Sequence, residues 1–344
     1  LIHRQRSHRR QRNLITLVDE MKKLLIPSPE NREACLQQLW EKLYIEQGVD
    51  ESTQNNFPRL ERHLSARSAG KAALAASDLA HNLLNRACID RRLDRLASSD
   101  AFLRQSFAYV YLARELNRLA RMAPDWPELN PDGLLLETIA WQGLSAACGS
   151  PWFALWVAPH LHNQFGNPDP GQALLAYDFD KPARGFMELL QRSLITGAWP
   201  AHIDVPALSA YGRLLEACGQ PEHWAAALVE FCDWRVANAY GYEFMGATKR
   251  RRQSSLRSAM DWESVQQVFP IELFTLQLAY ERATGVRLSL DAPHPMLQGP
   301  LMARPFPQVE PMFEDDWTRQ LVALREEASD GRLAARAPIT AKYL

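Results

Sequence analysis

The stretch Pro221–Gly246 reads PEHWAAALVEFCDWRVANAYGYEFMG. Wound at about 100° per residue, it sets Ala227, Leu228, Phe231, Cys232, Trp234, Val236 and Ala239 on one very broad apolar arc. Glu222, Glu230 and Asp233 fill the remaining wedge, the pattern of a solvated face. An apolar arc this wide predicts a helix packed on several sides. Arg235 points into the middle of the arc, and a guanidinium that keeps its proton needs a partner when buried. Glu272, in the next apolar segment FPIELF, is the natural candidate. The expectation is a structural ion pair joining two helices.

Helical spacing recurs outward in both directions. Upstream, Asn13–Ile26, Glu30–Gln47, a long alanine-rich run over Ser65–Leu96 and Ala101–Met122 behind a Ser98/Ser99–Asp100 cap read as helices, with the polar DESTQNN as a loop. The proline-bearing APDWPELNPDG places a boundary near residue 130, dividing the chain into subdomains 1–125 and 131–328. Beyond it A-x-x-x-L-x-x-A-C-G-x-P occurs twice, at Ala140–Pro151 and Ala210–Pro221, offset by 70 residues. Each copy predicts a helix stopped by a left-handed glycine and a second helix started by proline. Trp152 and Trp156, one turn apart, read as core, and Phe186, Leu189, Leu190 and Leu194 mark another helix. Downstream, Asp261–Phe269, Pro270–Thr284 capped by Gly285, and Asp315–Glu327 follow. Between the last two, Asp291–Pro311 carries prolines at 293, 295, 300, 305, 307 and 311, so an extended segment across the bundle surface is expected. Val286–Leu290 is the one plausible short strand. The fold class is all-α: a multi-helix bundle of antiparallel helical hairpins with a proline-rich extended C-terminal segment.

Composition narrows function mainly by exclusion. The chain has 344 residues, 47% hydrophobic and 23% charged, with a formal net charge of -1, which argues against a nucleic-acid binder that uses its whole surface. Five scattered cysteines without a CxxC argue for a reducing compartment and against a metal or disulfide framework. His160 and His162 diverge on a helix, so no metal is expected there. No apolar run approaches the roughly 20 residues that span a bilayer. No phosphate-binding, dinucleotide, zinc-protease or nucleophile-elbow motif occurs, and no cofactor is expected. The candidate acid–base pairs are His81 with Asp78 and His223 with Glu222, each of which also suits a hydrogen-bonded or solvated helix margin. The basic segment at residues 3–12 reads as a solvated terminus. Lys249, Arg250, Arg251 and Arg252, with Glu314 and Asp315, are the candidate partner contacts.

A wider pattern spans residues 205–310: ACGxPExW, a long aromatic helix ending near a basic loop, FPIELFTLQLAYERATG, and the tail DAPHPMLQGPLMARPFP. It resembles helical immunity proteins encoded beside polymorphic or type VI secretion toxins of Gram-negative bacteria. The resemblance implies a non-catalytic cytoplasmic protein that binds a cognate toxin and neutralises it by direct contact, without nucleic acid or membrane. That family shares no catalytic residues to carry over. Two readings stand beside it. A helical-repeat adaptor would offer a concave groove to several partners. An enzyme would bring one of the two histidine–carboxylate pairs into a pocket.

Overall fold

The computed structural model describes residues 27–46, 49–122, 131–166, 181–244, 269–311 and 313–330. Those residues form twelve helices and no β-strand: α1 Arg32–Glu46, α2 Val49–Ser65, α3 Ala69–Arg92, α4 Leu96–Met122, α5 Pro131–Ala147, α6 Trp152–Gly166, α7 Lys181–Thr196, α8 Val205–Ala217, α9 Pro221–Phe244, α10 Ile271–Thr284, α11 Pro295–Gln298 and α12 Asp316–Ser329. The molecule is all-α. The helix expected over Asn13–Ile26, all but the last residue of the one expected over Asp261–Phe269, the loop residues before Pro131 and the basic segment 3–12 lie outside the described residues.

Packing starts from alanine. Ala69, Ala72, Ala73, Ala75, Ala76, Ala80 and Ala87 on α3 are all buried, and this small-residue face lets α4 lie against α3 along much of its length. α2 packs on α3, and α12 packs on α4 and touches α2 and α3. In the second half α10 packs on α5 and α7, α6 on α5 and α7, and α8 on α7 and α9, while α9 leans on α1. One contiguous apolar core runs from Cys35 to Leu324, so it continues across the boundary at 125/131, and α12 at the end of the chain closes over helices from its beginning.

Several sequence expectations are corrected, each for a local reason. DESTQNN is not a loop but lies in the first half of α2, since a polar composition does not by itself exclude a helix. The single helix expected over Ser65–Leu96 is interrupted at both ends by non-glycine residues in the left-handed region. Arg67 (φ 53°) closes α2, with Ser68 N–H donating to the His63 carbonyl at 3.0 Å. Asp94 (φ 59°) closes α3, with Arg95 N–H donating to the Asp90 carbonyl at 2.8 Å. α4 therefore starts at Leu96, and Ser98 does not cap it but donates to the Asp90 carboxylate on α3.

The two Cys-Gly-x-Pro turns also differ. Gly149 adopts φ 62°, and Gly149 and Ser150 N–H groups reach back to the Ala146 and Ser145 carbonyls at 3.1 Å each, a Schellman closure. Gly219 does not adopt positive φ; its helix ends through three-residue turns, Cys218 N–H to the Leu215 carbonyl at 3.3 Å and Gln220 N–H to the Ala217 carbonyl at 3.0 Å. The same letters close by two geometries.

Val286–Leu290 is not a strand. Its carbonyls are met by side chains instead of a ladder: Gln277 Nε2 donates to Leu288 and Trp224 Nε1 to Ser289. The proline-rich segment is neither wholly extended nor superficial. It contains α11, capped by His294, and it buries Ala292, His294, Met296, Leu297, Leu301 and Val309.

Where α5 meets α10, Gly143 is irreplaceable in size. A Cβ there would stand 2.3 Å from the Ile271 carbonyl oxygen and 2.4 Å from Ile271 Cγ2. Relief requires the helices to move apart over the centre of the core. Gly143→Ala is expected to destabilise the protein by about 1–3 kcal/mol despite alanine's better helix propensity. The check is the urea midpoint at unchanged slope; a midpoint equal to or above wild type would show that the two helices separate at no cost.

Candidate functional site

The most deeply buried ion pair among the described residues joins α9 to α10. Arg235 on α9 and Glu272 on α10 are 1% and 0% exposed, and Arg235 Nη1 donates to Glu272 Oε1. Arg235 Nη2 donates to the Phe269 carbonyl at 2.9 Å, satisfying the backbone just before α10 begins. Burial pushes the Glu272 carboxyl above the ordinary carboxylate range, while the guanidinium beside it pulls the other way. The structure thus brings Arg235 and Glu272 together as a tie between two helices, walled off from solvent.

A second buried arginine gave no signal in the sequence. Arg91, in the last turn of α3, is 2% exposed. Its Nε donates to the Leu301 carbonyl at 3.0 Å, and Nη2 donates to the carbonyls of Pro305 at 2.8 Å and of Arg304. Its guanidinium lies 4.0 Å over the Phe306 ring. The reason is legible afterwards: a segment with prolines at 300, 305 and 307 has three fewer N–H donors, and its carbonyls, the buried one of Leu301 above all, take donors from elsewhere. Arginine offers five in a fixed fork. Farther along, Val309 is held from both sides, its N–H donating to Ser150 Oγ at 3.0 Å and its carbonyl accepting from Trp152 Nε1 at 2.9 Å.

A third node joins three elements through one carboxylate. Asp233 Oδ1 on α9 lies 3.1 Å from Arg32 Nε on α1 and 3.3 Å from His294 Nε2 at the head of α11. His294 is fully buried, and its Nδ1 accepts the Met296 N–H at 3.0 Å, so neutral His294 carries its proton on Nε2, facing Asp233. Burial lowers the imidazole to about 4, with Asp233 opposing that shift and Arg32 adding to it. The unfolded chain therefore binds a proton that the folded chain refuses between the ordinary value near 6.5 and about 4. Stability from this group is complete above the upper limit and falls as pH drops through that window. His294→Asn is expected to flatten the dependence of unfolding free energy on pH between 6 and 4.5; an unchanged slope would assign the titration to another group.

The acid–base candidates do not converge on a cleft. Asp78 pairs across to Arg59 on α2, both partners 44% exposed, with His81 half-buried one turn along α3. Glu222 and His223 stand 3.9 Å apart in the open first turn of α9, 68% and 66% exposed. Cys88 and Cys218 are pushed up to about 12 by burial, and Cys148 and Cys232 are raised for the same reason, which keeps these thiols protonated. Among the described residues, no group of three or more His, Cys, Asp or Glu side chains is placed to hold a metal ion. No helix among them is long and apolar enough to cross a membrane.

Of the partner-contact candidates, Lys249, Arg250, Arg251 and Arg252 lie outside the described residues. Glu314 is exposed. Asp315 is used internally: it caps α12 by accepting the Thr318 N–H at 2.7 Å and accepts from Tyr109 Oη and Gln105 Nε2 at 3.0 Å each. Trp156, expected in the core, is 38% exposed at the rim of an aromatic cluster. Open depressions among the described residues include two. One, of about 240 Å³, is lined by Trp40, Glu41, Ile89, Arg92 and Leu93; the other, of about 380 Å³, by Ala225, Ala226, Val229, Glu230, Asp233 and Pro293. No protein-family model, no curated protein and no solved structure matches the chain.

Proposed function

We propose that this chain is a non-catalytic immunity protein, acting in the bacterial cytoplasm, that binds a cognate secreted toxin of the type VI or polymorphic class and neutralises it by direct contact. The observation that supports this reading is the inward commitment of its built charged groups. Arg235 with Glu272, and Arg91 with the Leu301–Phe306 carbonyls and ring, are spent on holding helices and strap together beyond the reach of a substrate. What such a fold presents to another molecule is a helical surface on which Trp156 is exposed, and aromatic residues are enriched at the centres of protein interfaces.

The test is co-expression in a bacterial host of this chain with the product of the gene beside its own. The expected result is restored growth together with co-purification of the two chains. Unrestored growth with no co-purification overturns the reading.

A further inference from the structure

The proline-rich strap is pinned on either side of α11 by groups that do not titrate between about pH 7 and 4. Upstream, Trp224 Nε1 on α9 donates to the Ser289 carbonyl. Downstream, Arg91 Nε on α3 donates to the Leu301 carbonyl at 3.0 Å. Between the two pins the backbone is organised by His294. Its Nδ1 accepts the Met296 N–H at 3.0 Å, and its carbonyl accepts the N–H groups of Leu297 at 2.9 Å and Gln298 at 3.0 Å. The imidazole is fully buried, with Nε2 3.3 Å from Asp233 Oδ1 on α9. α11 packs on α1, and its Met296 and Leu297 are buried. One titratable ring thus caps the single helical turn that seats the strap.

We propose that His294 is an acid-operated latch: a proton taken from solvent onto Nδ1 uncaps α11 and frees residues 292–298 from α1 and α9 while the helices stay folded. Neutral His294 already carries a proton on Nε2, so the added one goes to Nδ1. That nitrogen then presents an N–H to the N–H of Met296, and the cap is lost. Asp233 favours the imidazolium from the other side, but it is shared with Arg32 Nε on α1, 3.1 Å away, and a buried charged ring has lost its water. Burial outweighs the carboxylate, so the proton is held more readily once the ring reaches solvent. The other charged groups close by in sequence on these elements are engaged or solvated: Glu230 pairs with Arg213, Arg235 with Glu272, and Glu33 and Asp291 are exposed. The Ser289 and Leu301 pins keep their partners, which confines the opening to the turn between them. Ala292, Met296 and Leu297 then come to the surface, where Asp233 and Pro293 already line an open depression.

The test is amide hydrogen exchange of the full chain between about pH 6.5 and 4.5, corrected for the intrinsic exchange rate, in wild type and in His294→Asn. Asparagine caps a helix and does not titrate, so it keeps the latch closed. In wild type the opening constants of the Met296, Leu297 and Gln298 amides are expected to rise towards about tenfold per pH unit as the pH falls, the limit for one proton bound on opening. Amides of α9 and α10 should not follow, and the variant should show no such rise. A flat wild-type profile, a slope retained in the variant, or α9 and α10 amides opening with the same slope overturns the proposal. Should the variant fail to fold, the wild-type His294 ring, followed by NMR, must titrate over the pH range in which the three amides open; a ring that takes up its proton while those amides stay protected overturns it equally.

Discussion

Replacing Glu272 by leucine is expected to destabilise the protein by about 3–5 kcal/mol, and replacing Arg235 by methionine by a comparable amount. Each single change leaves a charged or polar group buried without its partner, at 0–1% exposure. The Glu272→Leu chain keeps a guanidinium that cannot lose its proton, held only by the Phe269 carbonyl and its remaining local contacts. The Arg235→Met chain can protonate its carboxyl, which is already raised by burial, so its loss is expected to shrink at low pH. The double variant removes both desolvated charges and fills the space with apolar atoms. It is expected to recover most of either single loss, with a favourable coupling of several kcal/mol in the double-mutant cycle, because attraction between two buried charges roughly offsets the cost of taking them out of water. Urea midpoints at constant slope supply the measurement. Additive single losses would show that the two side chains act independently and are not a tie between α9 and α10.

The second large effect belongs to Arg91. Arg91→Met removes the donors to three carbonyls of Leu301–Pro305 and the stacking over Phe306 at once. The buried Leu301 carbonyl left without a partner costs about 1–3 kcal/mol, while the part-buried Arg304 and Pro305 carbonyls, which water can reach, and the lost ring contact add less each. A total loss near 3–5 kcal/mol is expected, concentrated in one segment. Hydrogen exchange is the discriminating readout: amides in residues 296–309 should lose protection well before those of α3 and α4. Arg91→Lys keeps the charge but not the fork, and should restore only a minor part. Uniform loss of protection across the molecule would instead make Arg91 a core residue like any other.

Helices with a plain apolar period were readable in advance to within a residue or two. The helices expected over Pro270–Thr284 and Asp315–Glu327 lie within two residues of α10 and α12, and Gly285 takes φ 75° as a helix terminator does. The ends of α3 were not readable, because Arg67 and Asp94 enter the left-handed region without the glycine that usually announces it. Polar DESTQNN reads as a loop by composition and is helix in the structure, because propensity is weak residue by residue. Arg235 was visible as a charge inside an apolar arc. Arg91 was not, since it sits where a basic residue at a helix C-terminus is ordinary, and only the three-dimensional path of the proline-rich strap reveals what it serves. The exposed rings show the same limit: Trp152 and Trp156 share a helix face in the sequence, but whether that face meets core or solvent depends on where α4 and the strap end.

The most direct measurement is the affinity of the adjacent gene's product for the wild-type chain and for the folded Arg235→Met/Glu272→Leu variant. If the proposed immunity function holds, a protein that acts through its surface and uses its buried charges only as ties should bind that product tightly in both forms, with dissociation constants within about threefold of one another. A variant of native stability that no longer binds, or a wild-type chain that does not bind at all, would contradict that division of labour.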